Sequence, residues 1–333
     1  MDLDVVFLGT SASAPTARRG TSSLLVRRGG DRILFDCGEG TQRQLLRSSV
    51  GLVDLEEIYL THLHADHYLG LPGMLKTFSL RMRETPLTIY GPAGLRDLFD
   101  SLRRVFGKLC YRLDLEEVRA GDAQRRDGYE VRAFPVDHGV PAVGYALVEE
   151  ERPGRFDVTV ADTLGVPFGP ERGALQRGEA VTLADGTTVT PDQLVGPQRA
   201  GRTVVYTGDT SPADAVALLF PGADLLIHES TFGEEERSRA SETGHSTARQ
   251  AAEVAREANV LLLALTHVSP RHLPSELLQE AREVFPGTIL PRDFDTVEVP
   301  FREKGLPALV KGGAAQESGA ATKGTAVKEG AGT

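Results

Sequence analysis

Short apolar runs, each stopped by glycine or by a charged residue, recur through most of the chain. They alternate with stretches in which apolar residues return every three or four positions. "LDVVFLG" (3–9) reads as a strand closed by Gly9. "SSLLVRRGGDRILFDCG" (22–38) is two apolar runs around Gly29-Gly30-Asp31, the pattern of a β-hairpin. "EGTQRQLLRS" (39–48) pairs its apolar residues as a short helix does, and "EEIYLTHLHADH" (56–67) reads as a strand running into a polar loop. "PLTIYGPAGLRDLFDSLRRVF" (86–106) predicts a strand, a Gly-Pro turn and an amphipathic helix with Leu95, Leu98, Leu102 and Val105 on one face. Further strands are expected in "YEVRAFPVDHG" (129–139), "VGYALVEE" (143–150), "RTVVYTGDT" (202–210), "ADLLIHESTF" (223–232) and "VLLLALTHVS" (260–269). A helix starting at Ser246 is expected in "HSTARQAAEVAREAN" (245–259). Helices alternating with strands and hairpins point to an α/β sandwich.

Two segments break this texture. Residues 151–200 are rich in Gly, Pro and Asp and lack long apolar periodicity, so the pattern predicts a structureless functional protrusion from a compact domain. The tail 312–333, "GGAAQESGAATKGTAVKEGAGT", is low-complexity and is expected to be disordered. The 333 residues are 40% apolar, enough to bury a full core. No apolar run reaches the roughly 18 residues of a membrane span, so no membrane association is expected. Met1-Asp2-Leu3-Asp4 has neither a basic nor an apolar region, so a signal peptide is not expected either. Two separated cysteines, Cys37 and Cys110, do not make a disulfide framework, which fits a cytoplasmic protein; Cys37 reads as a small packed residue. A net charge of −10 argues against generic nucleic-acid binding. It leaves room for local basic patches, because arginine outnumbers lysine and clusters at Arg18-Arg19, at Arg27-Arg28 and within 101–112; most of these read as solvated faces.

The chemistry concentrates in "THLHADHYLGLPG" (61–73), which holds three of the chain's eight histidines. His62, His64, Asp66 and His67 can all bind metal, and a loop there can aim the first pair to one side and the second pair to the other. Each pair is short of the three or four ligands that a zinc site uses. Further donors stand where strands stop: His138 after "VRAFPVD", Asp209 after "TVVYTG" and His267 after "LLLALT", with His245 opening a helix. Strand-end loops are where sites are built. A lone histidine after a strand is usually a hydrogen-bonded structural residue, so the weight rests on six of the eight falling at such positions. His228, beside Glu229, reads as mainly structural, and His272 is left over.

"THLHADH" resembles the T-H-x-H-x-D-H signature of the metallo-β-lactamase superfamily. "FLGTSASAPTARRGTSSL" (7–24), "LFDCGEGTQRQLL" (34–46), "HADHYLGLPG" (64–73), "YGPAGL" (90–95), "DHG" (137–139), "TGDT" (207–210), "HESTF" (228–232), "HST" (245–247) and "LTHVSPRH" (265–272) occur in the order seen in ribonuclease Z, the family of tRNA 3′-processing endonucleases. The similarity covers roughly residues 3 to 303, and the stretch 151–200 resembles that family's flexible tRNA-gripping arm.

The resemblance implies a four-layer αβ/βα sandwich of the metallo-β-lactamase type, with one catalytic domain over 1–311 and the arm inserted in it. It implies two zinc ions per subunit, one held by His62, His64 and His138, the other by Asp66, His67 and His267, with Asp209 bridging. It makes Asp66 the residue that orients the attacking water and His245 the acid for the leaving 3′ oxygen, with Glu229 a possible orienting partner. Precursor tRNA is the implied substrate, cut to a tRNA 3′-hydroxyl and a trailer 5′-phosphate by a homodimer. A hydrolase of the same fold acting on a small phosphodiester, lactone or thioester is the alternative, and a metal-stabilised binding protein is a third reading. The arm counts against the former, and intact Asp66 and His245 against the latter. Two features depart from the family pattern: the arm carries five Arg against seven Asp or Glu, and His272 stands where an aromatic residue is common.

Overall fold

The computed structural model describes residues 1–48, 50–52 and 55–312; the tail expected to be disordered lies outside the described residues apart from Gly312. Two sheets face each other. One has eight strands, whose sequential order across the sheet is Ala308–Val310, Thr296–Glu298, Leu3–Gly9, Ser23–Arg28, Asp31–Phe35, Glu57–Tyr59, Leu87–Gly91 and Leu113–Glu117. The other has seven: Thr288–Ile289, Leu262–Thr266, Leu225–Glu229, Thr203–Tyr206, Val143–Glu149, Tyr129–Pro135 and Ala123–Arg126.

Side chains alternate along each strand, and both faces of both sheets are buried. Val5 and Phe7 meet Tyr145, Val204 and Ile227 in the core between the sheets, whereas Val6 and Leu8 pack outward against the helices Thr41–Arg47, Leu71–Leu80 and Leu95–Phe106. Val205, Leu226 and Leu263 likewise face the helices Ala215–Leu219, Ala248–Glu257 and Pro274–Val284. The result is four layers, helix, sheet, sheet, helix, as expected. Near-continuous apolar runs such as Leu225–Ile227 follow from burial on both faces. A buried charge cluster ties the sheets together: Glu149 accepts from Arg28 (Nε, 2.8 Å) and Arg202 (Nε and Nη2, 2.7 Å each). Arg28 is therefore an interior residue and no part of a solvated basic face.

Within each sheet the central strands Asp31–Phe35, Glu57–Tyr59 and Leu87–Gly91, and Thr203–Tyr206, Leu225–Glu229 and Leu262–Thr266, run parallel. Their carboxyl ends form one edge, the position where α/β sheets build their sites.

Several local expectations are corrected. The buried face of helix Leu95–Phe106 is Leu95, Phe99 and Phe106 with Leu102 partly buried, while Val105 is 69% exposed. The aromatic rings have the reach to the sheet and set the helix's rotation. "HADHY" is not all loop, since Ala65–Tyr68 forms one helical turn. Helix Ala248–Glu257 is capped by Thr247, whose side chain accepts from Gln250 N in a capping box, and not by Ser246; His245 lies before the helix. Helices Leu71–Leu80 and Pro274–Val284 and the polar strands Leu113–Glu117 and Ala123–Arg126 were not foreseen. Residues 151–200 are not structureless. They hold two short helices, Val158–Thr163 and Pro170–Gln176, and a two-stranded ribbon of Val181–Thr182 and Thr188–Val189. A small core of Ala161, Val166, Leu175, Val189 and Leu194 holds these together, and bridges Arg152–Arg199 and Phe156–Val195 close the neck. Five buried apolar residues and six partly buried ones, spread over this length, leave no periodic signal, yet cover one another.

Candidate metal centre

Each residue singled out at a strand end arrives at the same edge. Thr61 and His62 follow the strand Glu57–Tyr59, Asp209 follows Thr203–Tyr206, and His267 follows Leu262–Thr266. His138 follows Tyr129–Pro135, and the backbone of the histidine segment crosses to the second sheet through Val143 N to Thr61 O (2.9 Å). Gly208, at φ +63, brings Asp209 in; a Cβ on it would lie 2.6 Å from the Cβ of Thr61, so only glycine fits the turn. His267 sits at φ 54, a left-handed conformation that a non-glycine residue keeps only when its surroundings hold it there.

Two groups of donors result. His62, His64 and His138 place ring nitrogens within 4.8 Å of one another, and so do the donor atoms of Asp66, His67, Asp209 and His267. Asp209 Oδ2 stands between the groups, 3.8 Å from His62 Nε2, 3.4 Å from His67 Nε2, 3.9 Å from His138 Nε2 and 3.2 Å from His267 Nε2. Asp66 Oδ2 is 3.3 Å from His267 Nε2 and accepts from Ser13 N at 2.8 Å.

The partners behind these rings fix their tautomers. His67 Nδ1 donates to Asp36 Oδ2 (2.8 Å), and His138 Nδ1 donates to Gly244 O (2.8 Å). The Thr231 hydroxyl donates to Glu229 Oε2 and therefore accepts from His267 Nδ1 (2.8 Å). The Thr61 hydroxyl donates to Asp36 and accepts from His62 Nδ1 (3.1 Å). Every one of these rings turns an Nε2 lone pair into the cage, the form in which imidazole binds metal. The Nε2 atoms of His62 and His67 and Oδ1 of Asp209 are buried without a hydrogen-bond partner. Buried polar atoms without partners are rare and costly, and a cation satisfies all three. The field agrees. Burial works against a charge on His67, yet the carboxylates of Asp209 and Asp36 raise it well above the ordinary histidine value. Burial likewise works against ionised Asp66 and Asp209, yet the His267 and His67 rings hold both below the carboxylate range. Burial and the neighbouring rings lower His62 and His64, so it is on the Asp66 side that the carboxylates favour positive charge, the charge a metal ion supplies.

His245 lies at the rim. Its Nδ1 meets Glu229 Oε1 at 2.7 Å, and its ring is 4.8 Å from that of His138 and 5.5 Å from that of His267. Burial pulls its protonation down, but the fully buried Glu229 carboxylate lifts it to about 9. Glu229 is fixed in turn by Thr210 N (2.8 Å) and Thr231. His228 is wholly buried on its strand, its Nδ1 2.9 Å from the carbonyl of Glu229, and burial lowers it. His272 lies away from the cage, between Glu235 and Glu236. Cys37 is buried, and burial raises its thiol far above the usual range.

Sequence reasoning missed Asp36, Thr231 and the Gly244 carbonyl. Asp36 accepts from Thr61 N, Thr61 Oγ1, His67 and Tyr206 Oη. It follows the strand Asp31–Phe35, the same strand-end position that marks Asp209.

Known proteins are similar throughout this framework. Residues 3–116 match the family described as anti-Pycsar protein Apyc1, and residues 194–268 match the beta-lactamase superfamily domain. The chain is 48% identical over 308 residues to ribonuclease Z of Haloferax volcanii, covering 91% of this chain and 97% of that one. It is 48% identical over 305 residues to ribonuclease Z of Myxococcus xanthus, covering 90% and 99%. Among solved structures, the short form of human tRNase Z superposes with a TM-score of 0.65 at 29% identity, covering 89% of this chain and 99% of that one.

Proposed function

Because the chain belongs to the ribonuclease Z family, we propose that its cage of histidines and carboxylates holds two zinc ions per subunit and cuts the 3′ trailer from precursor tRNA. The enzyme is a ribonuclease Z-type endoribonuclease of tRNA 3′ processing. The observation that carries the rest is the set of partnerless lone pairs on His62, His67 and Asp209, facing one buried space at the sheet edge. His62, His64 and His138 would hold one ion and Asp66, His67 and His267 the other, with Asp209 between the two groups. When bound, such a pair stabilises charge developing on the phosphate and makes water nucleophilic near neutral pH.

The chain's own residues do the remainder. Asp66, steadied by Ser13 N, orients the attacking water and takes its proton. His245, held by Glu229, gives a proton to the departing 3′ oxygen. The products are a tRNA 3′-hydroxyl and a trailer 5′-phosphate. The arm 151–200 is a small folded unit on a narrow neck, the construction expected of a grip on a substrate that extends far from the cage. With five Arg against seven Asp or Glu, it works through shape as much as charge. A homodimer is supported by Leu46, Leu69, Leu80 and Met82, large apolar side chains left exposed on, between and just past the helices from Thr41 to Leu80. No described helix is long and apolar enough to cross a membrane, and a cytoplasmic setting suits two unpaired thiols. The test is incubation with a 3′-extended precursor tRNA before and after chelation, with zinc restored and the product ends analysed. A chelator-resistant cut, or a 3′-phosphate on the tRNA, refutes the proposal.

A further inference from the structure

A groove of about 580 Å³ is walled by the loop Pro15–Gly20, helix Thr41–Arg47 and residues 292–294. Five arginines line it against two carboxylates, Glu39 and Asp293, on a chain whose net charge is −10. Two of the charged groups have structural work. Asp293 accepts from Thr10 Oγ1 (2.7 Å), Gly20 N (2.6 Å) and Gln44 Nε2 (2.7 Å), and Arg19 donates to Thr10 Oγ1 and to Pro291 O (3.0 Å). Together they clamp the loop. Arg18, Arg43 and Arg292 are exposed and have no side-chain hydrogen bond or ion pair among the described residues. Among the described residues Arg47 reaches Gln44 and the face of the half-buried Phe294 ring, 5.2 Å away. Gathering like charges without partners opposes folding, and guanidinium forks match phosphate oxygens two at a time.

The chain just before this loop touches the cage. Ser13 N donates to Asp66, and Ala12 N donates to the carbonyl of Val268, next to His267. His267 turns Nε2 toward Asp66 and Nδ1 toward Thr231, and Thr231 and Glu229 both meet His245. The two flanks of the site therefore differ in chemistry. We propose that this arginine groove carries the phosphate backbone of the single-stranded 3′ trailer; the assignment rests on the tRNA cleavage reading above. In that reaction the bond from phosphorus to the 3′ oxygen breaks. The water oxygen joins phosphorus, and the water proton passes to Asp66. His245 protonates the 3′ oxygen, so the tRNA end lies on the His245 flank. The phosphate remains with the trailer, which continues along the Asp66 flank and meets the groove. Phe294 offers a ring on which a base can stack.

The test compares wild type with Arg43→Ala/Arg292→Ala on two precursor tRNAs that differ only in trailer length, one nucleotide against about ten. Both substitutions are at exposed positions, and thermal melting checks the fold. In wild type kcat/KM is higher for the long trailer and falls with salt. In the variant the long-to-short ratio drops toward one, and the log–log salt slope on the long substrate loses about 1.4, at roughly 0.7 for each single-strand phosphate contact. Arg18→Ala, measured separately, shifts both quantities in the same direction by about half as much, at the same roughly 0.7 per contact. An unchanged ratio and slope overturn the proposal. So does an equal loss on both substrates, which would put the tRNA body in the groove. If wild type cuts neither substrate, the cleavage reading fails and this one with it. If wild type cuts both with a ratio of one, only the groove assignment falls.

Discussion

Asp36→Asn separates ring orientation from everything else at the cage. The substitution is isosteric and removes one charge. In the native protein all four contacts run toward the carboxylate: Thr61 N at 2.8 Å, Thr61 Oγ1 at 3.0 Å, Tyr206 Oη at 2.8 Å and His67 Nδ1 at 2.8 Å. An amide has one accepting and one donating end. Thr61 N is a backbone donor and cannot reverse, so the amide oxygen stays there and the NH2 faces Tyr206 and His67. The tyrosine hydroxyl can rotate to accept. His67 can accept only by moving its proton from Nδ1 to Nε2. That atom is the one that stands 3.7 Å from Asp66 and 3.4 Å from Asp209, so the ring loses its lone pair toward the cage. Losing such an orienting partner typically costs about 10–100-fold in metal affinity. At about 1.4 kcal/mol per decade that is roughly 1.4–2.7 kcal/mol. The expected result is one weakened metal per chain, the one on the Asp66 side, with the other retained and precursor cleavage falling at limiting zinc. Competition titration against a chromogenic chelator, read beside metal content after dialysis, measures it. Two equally tight metals in the variant would show that His67 is oriented by something other than Asp36.

Four other outcomes follow from the same structure. His245→Ala should keep its metals and lose about 10²–10⁴-fold in precursor cleavage, with a smaller loss on a nitrophenyl phosphodiester whose leaving group needs no proton; equal losses on both, or lost metal, would place His245 among the ligands. Deleting residues 155–195 and rejoining the neck with a short Gly/Ser linker should spare nitrophenyl phosphodiester hydrolysis and raise KM for precursor tRNA, since the segment has its own small core; an unaltered KM makes the arm an ordinary insertion. Gly208→Ala should cost both metal and activity, because its Cβ meets Thr61 at 2.6 Å and φ is +63; full zinc content in the variant counters this. Glu149 governs acid stability. Burial would raise its pKa, but Arg202 and Arg28 hold it below its ordinary 4.5. A carboxylate with a depressed folded pKa contributes fully above the unfolded value, and that contribution is lost as pH falls below about 4.5. Urea melts of Glu149→Ala should show a loss of roughly 3–5 kcal/mol at pH 7, since two buried guanidiniums lose their partner, and a smaller difference from wild type near pH 3; a pH-independent difference argues against an ionic role.

The sequence on its own marked the donor side chains that the fold gathers at one edge, and the runs of chain that form most strands of the two sheets. Both are local properties. "THLHADH" crowds its donors into one loop, and His138, Asp209 and His267 each sit where an apolar run stops, which marks a strand end whatever the partner strands are. What lies across the chain from each donor left no local trace. Asp36 is 31 residues from His67, Gly244 is 106 from His138, and the tyrosine that completes the Asp36 cluster is 170 away, so the tautomers of the cage emerge only once the strands are aligned. Rotation of helix Leu95–Phe106 depended on how far Phe99 and Phe106 reach into the sheet. The fold of residues 151–200 depended on scattered apolar side chains finding one another. Arg28 and Arg43 look alike in sequence; pairing with Glu149 buries the first, and the absence of any such partner among the described residues leaves the second facing solvent. Local pattern fixes what a residue is able to do. Distant neighbours fix its burial, its protonation and the direction in which it points, because those depend on the groups that replace water around it.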